Sequence, residues 1–300
     1  MKRLSILIGF VVITLTACQS MSDAVGVTAG GAGDAGLISK DLADAGVRFS
    51  EDMDRAQEDF TPEQEYYIGR AVGARILTKY PIDSSRPDQT AYLNSILQAL
   101  VVNSPGPELY NGYHAVILDS DEINAFATSG GHIFVSRALL NSAASEDALA
   151  AVLAHEIAHV QLRHSVKAIQ EDRKAQAIRA FAASGTGALT GGTALEELTD
   201  IFDRSIADAL ITLIDKGYSR DQEFDADANA LAILAAAGYD PASLLDMLRT
   251  LDRDQPNHPG GFNATHPAPK DRLNNANRRL GAYSTPDTRT FRRARFSAAR

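Results

Sequence analysis

His155-Glu156-Ile157-Ala158-His159 is the stretch on which the reading of this chain turns. On an α-helix, positions i and i+4 lie about 40° apart around the axis, so His155 and His159 aim two imidazoles from one face at a single metal ion. Glu156 falls beside that ion without being one of its ligands, the place of a general base acting on a zinc-bound water. The helix has support of its own. Ser145 is a good N-cap, Glu146 and Asp147 complement the positive end of the helix dipole, and the run from Ala148 to Val160 contains neither Gly nor Pro.

A catalytic zinc usually takes three protein ligands and leaves its fourth position to water or substrate, so a third donor is required. Downstream, Ser219-Arg220-Asp221-Gln222-Glu223-Phe224-Asp225-Ala226-Asp227 leads into an apolar, helix-like segment that Gly238 is placed to stop. Glu223 and Asp227 share a face of that helix. Glu223 is the expected third ligand, and Asp227 the acceptor for the second N–H of a ligating imidazole, which fixes the ring's tautomer. Taken alone, this acidic run is more often a solvated helix face; the histidine pair upstream inverts that preference. His164, nine residues after His155, lies on the opposite side of a straight helix and is expected to be a surface or packing residue. His114, His132 and His258 have no ligand spacing.

The residues around this centre predict one mainly helical domain with a small sheet. Thr61-Pro62-Glu63-Gln64 supplies an N-cap, a first-turn proline and a capping-box glutamine for a helix to about Tyr80, and a second helix covers about Asp88 to Val102. Tyr113–Leu118, Ile123–Thr128 and His132–Ser136 read as short strands with Ser129-Gly130-Gly131 as a turn. Helices are expected again over Leu195–Lys216, Ser219–Ala237 and Pro241–Leu251, the last with Asp240 as cap. Roughly 220 residues suffice for a single large core. The fold class is therefore α+β, a zincin-type metallopeptidase domain with a small β-sheet beside the His-Glu-x-x-His helix.

The ordered set Asn124-Ala125-Phe126, Gly131-His132-Ile133-Phe134-Val135, His155 to His159, Ser219-Arg220 with Glu223 and Asp227, and Thr265-His266-Pro267 resembles the gluzincin peptidases of the HtpX and CAAX-prenyl-endopeptidase type, in their periplasmic lipoprotein branch. The resemblance covers about residues 60 to 280. It implies one Zn²⁺ held by His155, His159 and Glu223, with Glu156 as base and Asp227 as the outer partner of a ligand. It also brings His266 near the zinc or the oxyanion, a task for which Arg220 is the other candidate. Asn124, Ala125, Phe126 and the segment from Gly131 to Phe134 are expected to form a sheet edge and rim on which an extended peptide lies, although Phe126, Ile133 and Phe134 suit ordinary core packing equally well. The implied activity is that of a zinc endopeptidase acting on misfolded or misassembled cell-envelope proteins. The alternative is a lipoprotein chaperone for outer-membrane proteins with little or no proteolysis. A serine hydrolase is disfavoured, since no Gly-x-Ser-x-Gly occurs.

The first residues address the chain. Lys2 and Arg3 precede an apolar run from Leu4 to Ala17, short for a membrane span but right for a signal peptide. Leu15-Thr16-Ala17-Cys18 resembles a bacterial lipobox, implying lipid attached to Cys18 after cleavage. Gln19 in place of Asp favours the outer membrane, facing the periplasm. Cys18 is the single cysteine, so no intramolecular disulfide forms. Loss of Lys2 and Arg3 leaves 27 basic against 38 acidic residues, a net −11 that argues against nucleic-acid partners. The expected division is a signal peptide over 1–17, a lipidated cysteine and flexible tether over 18–60, the metallopeptidase domain over 61–285 and a basic tail over 286–300. The Gly-x-Gly-x-x-Gly match at 31–36 follows no strand and is discarded as a dinucleotide site. Ala182 to Ala194, rich in Gly, Ala and Thr, is read as a loop in preference to a lid. The tail, with five arginines and no acid from Arg289 to Arg300, is read as solvated in preference to lipid-binding.

Overall fold

The computed structural model describes residues 40–57, 59–104, 106, 109–184, 207, 217–254, 261–266, 269–284 and 289–299. The lipobox, the glycine-rich stretch at 31–36, nearly all of the helix expected over 195–216, and His258 lie outside the described residues, as does the segment 185–194. The chain divides into two compact units, residues 1–59 with 170–191 and residues 60–169 with 192–300.

The first unit corrects one expectation. The tether was drawn to residue 60, but Lys40–Gln57 is a helix, α1. Ser50, Met53 and Ala56 are buried along it at three-residue intervals, an amphipathic stripe that the Gly/Ala/Ser composition of residues 19–36 did not foreshadow.

The second unit is built around a three-stranded sheet. Helix α2 (Pro62–Lys79) has the Thr61/Gln64 capping box, and α3 (Pro87–Val102) follows. Strands β1 (His114–Leu118), β2 (Ala125–Thr128) and β3 (His132–Ser136) stand in the order β1-β3-β2, with β1 parallel and β2 antiparallel to β3. Ala115, Ile117, Ala127, Ile133 and Val135 face one way, into the main core with Leu93, Leu97 and Leu100 of α3. Phe126 and Phe134 face the other way, onto Ile68, Val72 and Ile76 of α2. Two glycines permit this layering. Gly69 brings α2 so near the β2–β3 turn that a Cβ would stand 1.5 Å from the Ser129 carbonyl oxygen. Gly130, at φ 80°, lies against the Tyr66 backbone.

The strand order also corrects the proposed rim. Residues 132–134 belong to the central strand, whose backbone is paired on both sides, so they offer no edge. Pairing with β1 on one side and β2 on the other is the physical reason: the backbone groups of β3 are taken up by its neighbours. β2 is an outer strand, yet all four of its residues are buried.

Below the sheet run α4 (Arg137–Ser142) and then α5 (Glu146–Gln161), which is buried all round over Leu149–Val160 and forms the axis of the unit. A longer helix, α6 (His164–Ser184), follows after only two residues. Helices α7 (Arg220–Ala236) and α8 (Ser243–Asp254) pack on α5. Asp240 accepts from the Ala242 N–H, so α8 starts two residues later than its proline suggested. The short α9 (Phe262–Thr265) and α10 (Pro269–Leu280) complete the core.

The expected basic tail is also corrected. Residues Arg289–Ala298 form α11, and Arg292 is only 4% exposed. Arg292 pairs with Asp147 at 3.0 Å and donates to the Gly238 carbonyl, while Arg295 pairs with Glu146. Asp147 draws Arg292 inward, where charge is tolerated only in pairs, while buried Glu146 holds Arg295 at the surface above it. No helix among the described residues is long and apolar enough to cross a membrane.

Candidate active site

The N-terminus of α5 is fixed first. Ser145 caps it by accepting from the Ala148 N–H, and buried Glu146 accepts from the hydroxyls of Tyr92 at 2.7 Å and Tyr239 at 3.1 Å as well as from Arg295. Two turns further along, His155 and His159 emerge on one face with Nε2 atoms 3.0 Å apart. The facing helix, α7, begins with a Ser219/Gln222 capping box that sets Glu223 in its first turn, fully buried. Glu223 Oε1 is 3.5 Å from His159 Nε2, and Oε2 is 3.5 Å from His155 Nε2. The fourth member is His266, whose Nδ1 lies 3.0 Å from Glu223 Oε1 and 3.2 Å from His155 Nε2.

One donor atom from each of His155, His159, Glu223 and His266 lies within 4.8 Å of all the others. A tetrahedral zinc with bonds of about 2.0–2.1 Å sets its donors about 3.3 Å apart, and five of the six pairwise separations, counting either Glu223 oxygen, are 3.0 to 3.5 Å. The donor chemistry, imidazole and carboxylate, suits the same ion. The carboxylates act in the same sense at one position: burial and Arg272 push His155 down, but Asp227 and Glu223 outweigh them and lift it to about 9, whereas burial and His155 push His159 well below the usual histidine value.

Each donor is held from behind. Asp227 Oδ1 lies 3.1 Å from His155 Nδ1, which turns Nε2 toward the cluster. Arg272 of α10, fully buried, donates from Nε and Nη2 to Asp227 at 2.9 and 2.8 Å and brings Nη1 to 2.8 Å from Glu223 Oε2. Burial alone would raise both carboxyls; Arg272 reverses that and holds Glu223 well below its usual range and Asp227 below its own. His159 stacks on Tyr218 with ring centroids 4.0 Å apart, and its Nδ1 meets His164 Nδ1 at 2.9 Å. Burial, with Lys167 adding to it, pushes His164 down to about 4. Phe262 stacks on His266 at 4.1 Å.

Glu156 differs from its neighbours. Its carboxyl is buried, its two oxygens make no hydrogen bond, and Oε1 lies 3.7 Å from His266 Nε2. Burial raises its pKa, partly offset by His266 and His155.

Other sequence-selected residues fall elsewhere. Arg220 is 63% exposed, pairs with Asp271 at 3.4 Å and is not brought into the cluster. Asn124 is buried just before β2; its Oδ1 accepts from the Ala125 N–H and, at 3.4 Å, from the Thr265 hydroxyl, tying β2 to the segment that carries His266. Ala125 and Phe126 are core residues, and Gly131 sits in the turn at the opposite end of β2. Cys18 lies outside the described residues. Sequence reasoning missed Arg272, Tyr218 and His164. The first two have no periodic relation to the motif; His164 had one, and the straight-helix assumption misdirected it.

The family model for peptidase family M48 matches residues 87–280. Among curated proteins, the chain is 29% identical over 238 residues to the beta-barrel assembly-enhancing protease of Yersinia pestis, covering 78% of this chain and 45% of that protein. It is 27% identical over 284 residues to metalloprotease LoiP of Escherichia coli (strain K12), covering 94% and 98%. Mitochondrial metalloendopeptidase OMA1 of Schizosaccharomyces pombe is 30% identical over 186 residues, covering 61% and 51%. The chain thus spans less than half the length of the beta-barrel assembly-enhancing protease and nearly all of LoiP.

Proposed function

The chain belongs to peptidase family M48, and from that premise we propose that it is a zinc-dependent endopeptidase of the bacterial envelope, lipid-anchored through Cys18 and facing the periplasm from the outer membrane. Its proposed substrates are misfolded or misassembled envelope proteins, a class motivated by the lipobox-like leader and by relatives named as proteases of beta-barrel assembly. One observation carries the activity: four buried donor atoms within 4.8 Å of one another, with the Glu156 carboxyl, which makes no hydrogen bond, at their side.

His155, His159 and Glu223 are the proposed zinc holders. Zinc, when bound there, supplies Lewis-acid polarisation of a scissile carbonyl and a lowered pKa for water. Glu156 takes the proton of the attacking water and returns it to the leaving nitrogen, and the desolvation that raises its pKa makes the carboxyl a better base in the first step. His266 is the donor that gives way to substrate: it is carried by a four-residue helix, whereas the other three stand on helices of 16 and 17 residues. Because all five side chains are at most 2% exposed, the described arrangement is closed, and entry of a peptide requires that the cover move. Arg220 has no part in this reading. Of the proposed peptide edge, β2 alone is retained: the Ser136 N–H bonds to the Asn124 carbonyl, so in the alternating ladder the Ala127 backbone groups turn away from β3, while the Ala125 N–H is held by Asn124 Oδ1.

The fourth donor favours a second reading, a non-catalytic assembly lipoprotein with a closed structural zinc. Glu156 decides against it, because a structural site has no use for a buried carboxyl with no hydrogen bond. The test is Glu156→Gln in the full chain. Zinc content should stay at one per chain while casein cleavage falls roughly a hundred- to ten-thousandfold; a zinc-loaded variant that cleaves at the native rate would overturn the assignment.

A further inference from the structure

We propose that His164 is the positioning residue of the second metal-facing histidine, holding His159 in the one tautomer that can bind the cation. The inference rests on the zinc site proposed above and adds a residue to it.

The geometry begins with a break in the chain. Helix α5 ends at Gln161, Leu162 caps it, and Arg163 takes φ 55°, the single positive φ at a non-glycine among the described residues. A left-handed conformation is strained for an L-residue, so it persists only where the surroundings fix it. Here the Arg163 guanidinium ion-pairs with Glu65 and reaches the Phe60 carbonyl at 3.2 Å. The consequence is a change of direction. On a continuous helix His164 would point away from His155; after the break it opens α6 with its ring folded back toward the cluster, 1% exposed and 4.9 Å from the His159 ring.

Proton placement then follows from the contacts. His159 Nε2 is the nitrogen that faces His155 and Glu223, so that atom must offer a lone pair to a cation. Its proton therefore sits on Nδ1, 2.9 Å from His164 Nδ1. Two protonated nitrogens cannot share that distance, so His164 Nδ1 accepts, and His164 is the neutral tautomer with its own proton on Nε2. The two ligand imidazoles are thus oriented by unlike partners, His155 by the Asp227 carboxylate and His159 by a neutral ring. The formal charges of a divalent cation, Arg272, Glu156, Glu223 and Asp227 sum to zero with a neutral His164; a second carboxylate in its place would leave the buried centre negative.

The experiment compares His164→Phe with His164→Asn in the full chain. Phe keeps a flat ring without an acceptor, and Asn sets Oδ1 near the position of the lost Nδ1. Zinc affinity by chelator competition should fall about ten- to a hundredfold in the Phe variant, the usual cost of removing a ligand's hydrogen-bond partner, and return to within a few-fold of native in the Asn variant. Native affinity in the Phe variant, or equal loss in both, would overturn the proposal. Should the Phe variant not fold, nitrogen-15 spectra of the native chain decide, because a proton on His164 Nδ1 is incompatible with it. Failure of the native chain to take up zinc at all would instead refute the catalytic reading.

Discussion

At the scale of single residues, the cluster was legible where helical spacing carries the information. His155 with His159, and Glu223 with Asp227, are i,i+4 pairs, and a helix brings each pair to one face whatever the rest of the chain does. Arg272 was not legible, because its task arises only where α7 and α10 pack and two carboxylates meet inside the core. Removing it tests that task. In Arg272→Met two buried carboxylates lose their counter-charge, and the metal-free protein should lose about 3–5 kcal/mol of unfolding free energy in denaturant titration. Zinc should restore part of that loss, since the cation supplies positive charge to Glu223. An undiminished stability in chelator would show that Arg272 does not neutralise the pair.

At the scale of elements, α5 is held at both ends by groups distant in sequence. Its N-terminus is gripped by Tyr92, Tyr239, Arg292 and Arg295, and its C-terminus turns at Arg163 under the hold of Glu65. His155 and His159, the proposed ligands, lie between these two anchored ends. Five arginines near the C-terminus read as a solvated tail because the two acids that pair with Arg292 and Arg295 lie 145 and 149 positions earlier. Arg292→Ala leaves Asp147 partly buried without its partner, so thermal unfolding should occur several degrees lower, with a loss of about 2–4 kcal/mol. Zinc uptake at low temperature should persist, and binding to anionic vesicles should be unchanged. A salt-dependent loss of vesicle binding with native stability would return the tail to the lipid-facing reading. The sheet edge makes a second element-scale prediction. Ala127→Pro blocks a backbone donor that β3 does not use, so KM for a peptide substrate should rise severalfold at unchanged zinc content.

For the whole molecule, a metal that binds the folded state alone raises its stability by mass action. Chelator should therefore lower the melting temperature, by about 2.7 kcal/mol of unfolding free energy if zinc had been at a hundred times its dissociation constant. Glu156→Gln should show the same difference between loaded and stripped protein, since the base does not hold the cation. Equal melting temperatures with and without zinc would count against the site. Anchoring is separable from all of this: Cys18→Ser should release the protein from the membrane fraction while the purified domain still takes up zinc.

The amino-acid order by itself determined the three strands, the helices over Pro62–Lys79, Pro87–Val102, Glu146–Gln161, Arg220–Ala236 and Ser243–Asp254, the pair of imidazoles with Glu156 beside them and the acidic pair that faces them, because each depends on a local period and on the sterics of neighbouring residues. Only the tertiary structure decided that β3 lies inside the sheet, that Lys40–Gln57 is helical, that the last arginines cover the start of α5, and that Arg272 and His164 join the cluster to which the resemblance had already drawn His266. Those outcomes depend on where buried charge finds its counter-charge and where a two-residue break redirects a helix. Both are properties of contacts between segments far apart along the chain, and no local pattern encodes them.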